Sequence, residues 1–193
     1  MKNKLMVIFE SAGLLTDENK EIISYGLTRF CDLVTSLLFA IVCAGLMGDF
    51  FVGIFFEVVY MSLRSFAGGY HADTKRKCLF LTYVTTFSCI ILIFIVPINR
   101  PVMSIMMILF DGIIYYYAPV QSENKPLDSI ERRIYRKKSI QIAMMETGLY
   151  VFLTWIDLDL YSKAIFFSMS VIVAGMVIGL LTAYRKGGPG KGK

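Results

Sequence analysis

The sequence predicts an all-α, polytopic membrane protein: six transmembrane helices behind an N-terminal amphipathic helix, with both termini in the cytoplasm. Three observations carry that prediction. Hydrophobic residues make up 56% of the 193 and the mean hydropathy is +0.61, which is not the balance of a soluble domain. Apolar runs near the length of a bilayer crossing recur along the chain. The basic residues fall in short clusters between those runs, on alternate connections. The net charge of +5 is therefore the charge pattern of a membrane protein and gives no reason to expect a nucleic-acid partner.

The length suits one domain, so residues 1–193 are read as a single integral membrane unit. Residues 1–26 mix apolar positions (Leu5, Ile8, Phe9, Leu14, Leu15, Ile22, Ile23) with Lys2, Lys4, Asp17, Glu18, Lys20 and Glu21. That stretch is too polar to span. It reads as an amphipathic helix on the membrane surface, broken near Gly13, and it lacks the form of a signal peptide. The six-helix core occupies 27–184, with spans at 27–47, 50–63, 79–98, 102–118, 140–155 and 164–184. The second is short and holds Glu57, and the fourth holds Asp111 and ends on Tyr115-Tyr116-Tyr117, a group suited to a membrane–water interface. A polar loop over 121–139 separates the fourth and fifth spans, and residues 185–193 form a flexible basic tail.

Orientation follows from the cations. Residues 2, 4, 20 and 29, then 64 and 75–77, then 125, 132, 133 and 136–138, and finally 185, 186, 191 and 193 all fall on one side of a six-span chain. Of the 20 Lys and Arg, only Arg100 and Lys163 are left for the other side. The positive-inside rule then places both termini and the connection between spans two and three in the cytoplasm.

That connection, Arg64 to Cys78, carries the chemistry. It holds the only histidine, His71, preceded by Gly68 and Gly69, and a cysteine seven residues further on. A cysteine is a nucleophile as its thiolate, and a nearby imidazole or cationic field favours that form. His71 can supply the base, while Lys75, Arg76 and Lys77 supply the field. Cys31, Cys43 and Cys89 sit in apolar segments and read as small buried hydrophobes. One histidine and no close cysteine pair make no zinc site, and no cofactor is called for.

On one unbroken helix, His71 and Cys78 would stand about 10.5 Å apart, too far for a thiol–imidazole contact of about 3 Å. The chain between them must turn back. The glycine pair permits irregular backbone there, and Asp73-Thr74 can make a turn or cap the helix that carries Cys78. Such backbone near a membrane needs protein or water to cover it, which implies a water-accessible cavity open to the cytoplasm.

At this point the chain resembles a known family. Arg64, the block Gly68-Gly69-Tyr70-His71-Ala72 and Cys78 are similar to the catalytic segment of the accessory gene regulator protein B (AgrB) family. A second block agrees with that family's Ala-Pro-Val…Asn-Lys-Pro loop and basic run: Ala118-Pro119-Val120, then Asn124-Lys125-Pro126, then Glu131 through Ser139. Gln121 departs from the pattern, where an acidic residue is expected. The resemblance implies a membrane-embedded cysteine endopeptidase of quorum sensing, with Cys78 as nucleophile and His71 as base and then acid. Its partner would be a small amphipathic, AgrD-like precursor peptide, cut through an acyl-enzyme thioester and released as a thiolactone or lactone ring.

Arg64, Gly69, Lys125, Arg132 and Arg133 are the expected substrate-binding residues. The basic run equally suits anchoring to anionic membrane lipid, and a homodimer is compatible with the sequence. Glu57, Asp111 and Glu146 lie within expected spans; they read either as functional groups or as partners of Arg64 or another cation that hold the bundle together. Two other readings stand beside the enzyme: a peptide transporter or exporter accessory whose ionisable residues line a pathway, and a scaffold for a membrane sensor.

Overall fold

The computed structural model describes residues 11, 16, 19–70, 74–97, 99–121 and 128–185. Among them are six α-helices: α1 (Lys20–Leu46), α2 (Phe50–Ala67), α3 (Lys75–Ile95), α4 (Arg100–Tyr117), α5 (Ser129–Trp155) and α6 (Asp159–Arg185). Four of these, α1, α2, α3 and α6, are long and apolar enough to cross a membrane. The other two are more polar for visible reasons. α4 holds Arg100, Asp111 and three tyrosines within 18 residues. α5 opens with Glu131, Arg132, Arg133, Arg136, Lys137 and Lys138 before its apolar part begins.

The helix ends differ from the expected ones, and each difference has a local cause. α2 runs four residues past Leu63, to Ala67, because the first chain-breaking residue is Gly68. The expected loop over 121–139 is helical from Ser129 onward. Asp128 and Glu131 form a capping box there, with Ser129 N–H donating to Asp128 Oδ1 at 2.6 Å and Asp128 N–H to Glu131 Oε2 at 3.3 Å. α1 already begins at Lys20, so the last residues assigned to the surface helix belong to the first long helix; the rest of that segment apart from residues 11, 16 and 19, and the tail beyond Arg185, lie outside the described residues.

The chain divides into two units, residues 1–39 and 40–193. Within the first, two threonines of α1 bond back to the helix's own main chain. Thr28 Oγ1 donates to Ser24 O at 2.8 Å and Thr35 Oγ1 to Cys31 O at 2.9 Å, so neither hydroxyl is left bare in an apolar setting. The second unit has one main core. Val52, Phe56, Val59, Leu63 and Ala67 of α2 repeat at helical spacing and pack with Ile165, Met169, Ile172 and Met176 of α6. α4 adds Met103, Met107, Phe110 and Ile114, and α5 adds Ala143, Tyr150 and Leu153. α3 joins through Cys89 and Ile93, and its Ile90 packs with Ala40 and Ala44.

Outward faces stay apolar: Phe80, Ile108, Met144, Met145 and Trp155 are all more than 60% exposed. Water would penalise such surface, whereas hydrocarbon does not. Arg100 and Lys163, the two cations outside the clusters, are both tied down. Arg100 Nη2 reaches Asp157 at 2.6 Å and Asp159 at 2.9 Å, joining the start of α4 to the α5–α6 turn. Lys163 Nζ donates to Ile93 O at 3.2 Å, at the last turn of α3.

The close approach of α1 and α2 depends on Gly53, where a β-carbon would stand 2.4 Å from the Ala40 carbonyl oxygen. Gly53→Ala is predicted to destabilise the protein by about 1–3 kcal/mol through overpacking. Gly112→Ala, whose β-carbon meets nothing within 4 Å, is predicted to stabilise it by up to about 1 kcal/mol through helix propensity. Thermal unfolding of the two variants in detergent checks the opposite signs.

Candidate active site

The site is built where α2 ends. Gly68 has φ +75° and Gly69 φ +123°, two successive backbone conformations that L side chains rarely adopt. Helix α2 therefore stops, and residues 68–70 run on as a short strand-like segment with one bridge residue, Gly68. Space forbids side chains there as firmly as the torsions do. A β-carbon on Gly68 would lie 2.2 Å from Val120 O, and one on Gly69 would lie 2.5 Å from Arg64 Nη1.

Three segments hold that strand. The first is the link after α4: Ala118, cis-Pro119 and Val120 are buried, and Val120 pairs with Gly68 in a parallel bridge. Val120 N–H donates to Ala67 O at 2.9 Å and Gly69 N–H to Val120 O at 3.3 Å. The second is α6, whose Gly175 carbonyl accepts from Tyr70 N–H at 2.8 Å. The third is Arg64, one turn back on α2. Its Nη1 donates to Gly68 O and its Nη2 to Tyr70 O, the latter at 2.7 Å. A planar guanidinium suits this task because its donors form a rigid fork. The whole frame is made of backbone groups and one side chain.

Cys78 is placed by α3. Thr74 caps α3, accepting from Lys77 N–H at 3.4 Å, as expected of this stretch. Cys78 lies in the first turn, its N–H on Thr74 O at 3.0 Å and its own carbonyl accepting from Thr82 Oγ1 at 3.0 Å. The thiol is free and half-buried, and Arg76 and Lys77 beside it are exposed. A helix start carries partial positive charge, and the flanking cations add to it. α2 ends at Ala67 and α3 begins at Lys75, so no unbroken helix joins Arg64 to Cys78.

His71 and Asp73 lie outside the described residues, as does Lys125. Arg132 and Arg133 are exposed on the first turns of α5. The same polar end of α5 leans on the end of α2, with Lys138 Nζ 5.0 Å from the centre of the Phe66 ring and Tyr135 edge-on to Phe66 at 5.5 Å. Arg136 stands over Tyr115 at 5.9 Å and donates to its carbonyl at 3.4 Å. The carboxylates of α4 and α5 take hydroxyl partners and not Arg64. Ser62 Oγ donates to Glu146 Oε1 at 2.9 Å, and Thr147 Oγ1 to Asp111 Oδ2 at 2.8 Å. Glu57 is buried in α2. Among the described residues, no three His, Cys, Asp or Glu side chains stand close enough to hold a metal ion.

Sequence reasoning did not single out Gly175 and Gly179, yet the signal is there: Gly175-Met-Val-Ile-Gly179 is a G-x-x-x-G in an apolar helix. Val120 stood out only as part of the Ala118-Pro119-Val120 block, and its pairing with residues 67–69 runs through its main chain, which sequence does not mark.

A family model described as Accessory gene regulator B matches residues 2–180. Two curated relatives come from Clostridium perfringens, a "Putative AgrB-like protein" of strain SM101 / Type A and a "Putative AgrB-like protein 2" of strain 13 / Type A. Each is 22% identical over 171 residues, covering 85% of this chain and 78% of the relative. No solved structure matches.

Removing the guanidinium fork frees two carbonyls and loosens the strand. Arg64→Leu is predicted to raise hydrogen exchange at the Gly69, Tyr70 and Val120 amides at least about tenfold, for a lost clamp of roughly 1.5–3 kcal/mol. Unchanged exchange there would mean that the strand is held without Arg64.

Proposed function

The chain belongs to the accessory gene regulator B family, and from that premise we propose that it is a membrane-embedded cysteine endopeptidase of quorum sensing. It spans the cell membrane six times with both termini in the cytoplasm, so that Cys78 and the strand at 68–70 open to the cytoplasmic side. α4 and the apolar part of α5 supply the two further crossings, and the exposed tyrosines 115–117 mark the interface.

The substrate is a small amphipathic precursor peptide. Cys78 sulfur attacks the scissile carbonyl, and His71 takes the thiol proton and passes it to the leaving amine. The C-terminal fragment departs and the N-terminal part remains on Cys78 as a thioester. A thiol or hydroxyl of the peptide then attacks that thioester; a ring forms, the Cys78 sulfur leaves, and the proton returns to it through His71. A thioester retains enough acyl-transfer energy for this exchange, and excluding water favours cyclisation over hydrolysis. Lys125, Arg132 and Arg133 receive the acidic part of the peptide, while Arg64 and Gly69 build the wall that it lies against.

The observation that supports this reading most directly is the pairing of two features within eleven residues: a main chain fixed by three segments up to Tyr70, immediately before the only histidine, and a free, half-buried thiol in the first turn of α3. Such fixing is how a catalytic pair is kept in reacting geometry.

Intact-mass measurement of the precursor co-expressed with wild type, His71→Ala and Cys78→Ala tests the proposal. Loss of the C-terminal fragment is expected with wild type alone. Cleavage by Cys78→Ala would sink the assigned nucleophile. If none of the three cuts the precursor while Cys78→Ala still moves it across vesicles, the transporter reading takes over.

A further inference from the structure

The chemistry above gives α6 no part, although α6 is the helix on which the strand at 68–70 lies. Its two glycines, one turn apart, meet the strand in different ways. Gly175 meets it through a carbonyl, which accepts from Tyr70 N–H at 2.8 Å; a β-carbon at 175 would touch nothing within 4 Å. Gly179 meets it by lacking a side chain. A β-carbon at 179 would stand 3.0 Å from Tyr70 N, 3.1 Å from Gly69 C and 3.2 Å from Val120 Cγ1. Atoms of both paired segments therefore converge on the space that any other residue at 179 would fill.

Two of those three atoms are main-chain atoms that have nowhere to go. Tyr70 N is bonded to α6, Tyr70 O to Arg64, and Gly69 N to Val120 O. A side chain at 179 cannot be absorbed by a flexible neighbour. A methyl makes the bonded strand give by a few tenths of an ångström, and a larger side chain must lift it from α6 or break one of these bonds. His71 is the next residue in the chain.

We propose that Gly179 is a positioning residue for the acyl transfer: its bare α-carbon sets how closely the strand at 68–70 approaches α6, and thereby where the His71 imidazole meets the Cys78 sulfur. The proposal rests on the Cys78–His71 reading. It differs from the general use of G-x-x-x-G in membranes, where both glycines admit a neighbouring helix and are comparably sensitive. Here the methyl tolerated at 175 is the one refused at 179.

The test is a double-mutant cycle on the full chain in nanodiscs with its precursor peptide. Gly175→Ala, Gly179→Ala and Gly179→Val are each made with and without His71→Ala. Two rates are read: precursor cleavage, and alkylation of Cys78 by iodoacetamide, located by peptide mass. Since a displacement of about 1 Å at a reacting pair can cost about 100-fold, Gly179→Val is expected to lose about that factor and Gly179→Ala about tenfold. Gly179→Ala should be slowed at least about fivefold more than Gly175→Ala, because only the former has atoms in the way.

The decisive term is the coupling. With valine or alanine at 179, adding His71→Ala should cost both rates a smaller factor than it costs in the wild-type background, by about the factor that the substitution at 179 has already taken. If Gly179→Val cleaves within twofold of wild type, or if His71→Ala costs the same factor in both backgrounds, Gly179 does not act through His71 and the inference fails while the cysteine mechanism stands. If His71→Ala has no effect in the wild-type background, the mechanism fails and takes the inference with it. Should Gly179→Val not fold, Gly179→Ala carries the same cycle.

Discussion

A single guanidinium holds the functional end of this molecule together. Arg64 projects from the last turn of α2 and grips the carbonyls of Gly68 and Tyr70, so the chain leaving the helix is bonded back to it. Everything around the site accommodates that grip. The chain can take the required path only with positive φ at 68 and 69, which glycine adopts freely. The link after α4 pairs with the strand from one side and α6 from another, and both need main chain to come within hydrogen-bonding distance. Side chains are excluded from the junction because the frame is made of backbone. Backbone bonds shielded by buried Ala67, Ala118 and Val120 compete with little water, which gives a short strand the rigidity that its length alone would not.

This explains what was legible in the sequence and what was not. Apolar runs and their breakers placed the helices, because burial in lipid leaves a compositional trace at every position. The residues of the proposed site stood out by their chemistry: one histidine, a cysteine in a cationic setting and a glycine pair before them. Thr74 as the cap of α3 was legible too. The helical start of α5 could have been read from Asp128 and Glu131, but six cations across residues 125–138 pointed to a loop, and charge density is a poorer guide to backbone than a capping pair. The partners of Arg64 left no trace. They are carbonyls, identical at every residue, so sequence suggested a carboxylate or a substrate where the structure has main chain. Gly175 also contributes an oxygen common to all residues, so the G-x-x-x-G spacing could mark its position but not its bond.

The carboxylates of α4 and α5 illustrate a second point. Glu146 and Asp111 sit in the helix bundle, yet each accepts from a hydroxyl on a neighbouring helix, Glu146 from Ser62 and Asp111 from Thr147. Arg64 is thereby left to the strand. Short hydroxyl side chains bind α2 to α5 and α4 to α5 without drawing the long cation inward. The polar groups of the core are in this way divided between holding the bundle and holding the site.

The central claim is that Cys78 carries the peptide as a thioester. The most direct measurement is rapid quenching of the full-length protein with its precursor, followed by mass analysis of the peptide that contains Cys78. The account predicts a transient adduct equal in mass to the N-terminal part of the precursor, located on Cys78 and released by hydroxylamine. Cleavage that proceeds with the adduct on another residue, or with Cys78 replaced by alanine, would contradict it.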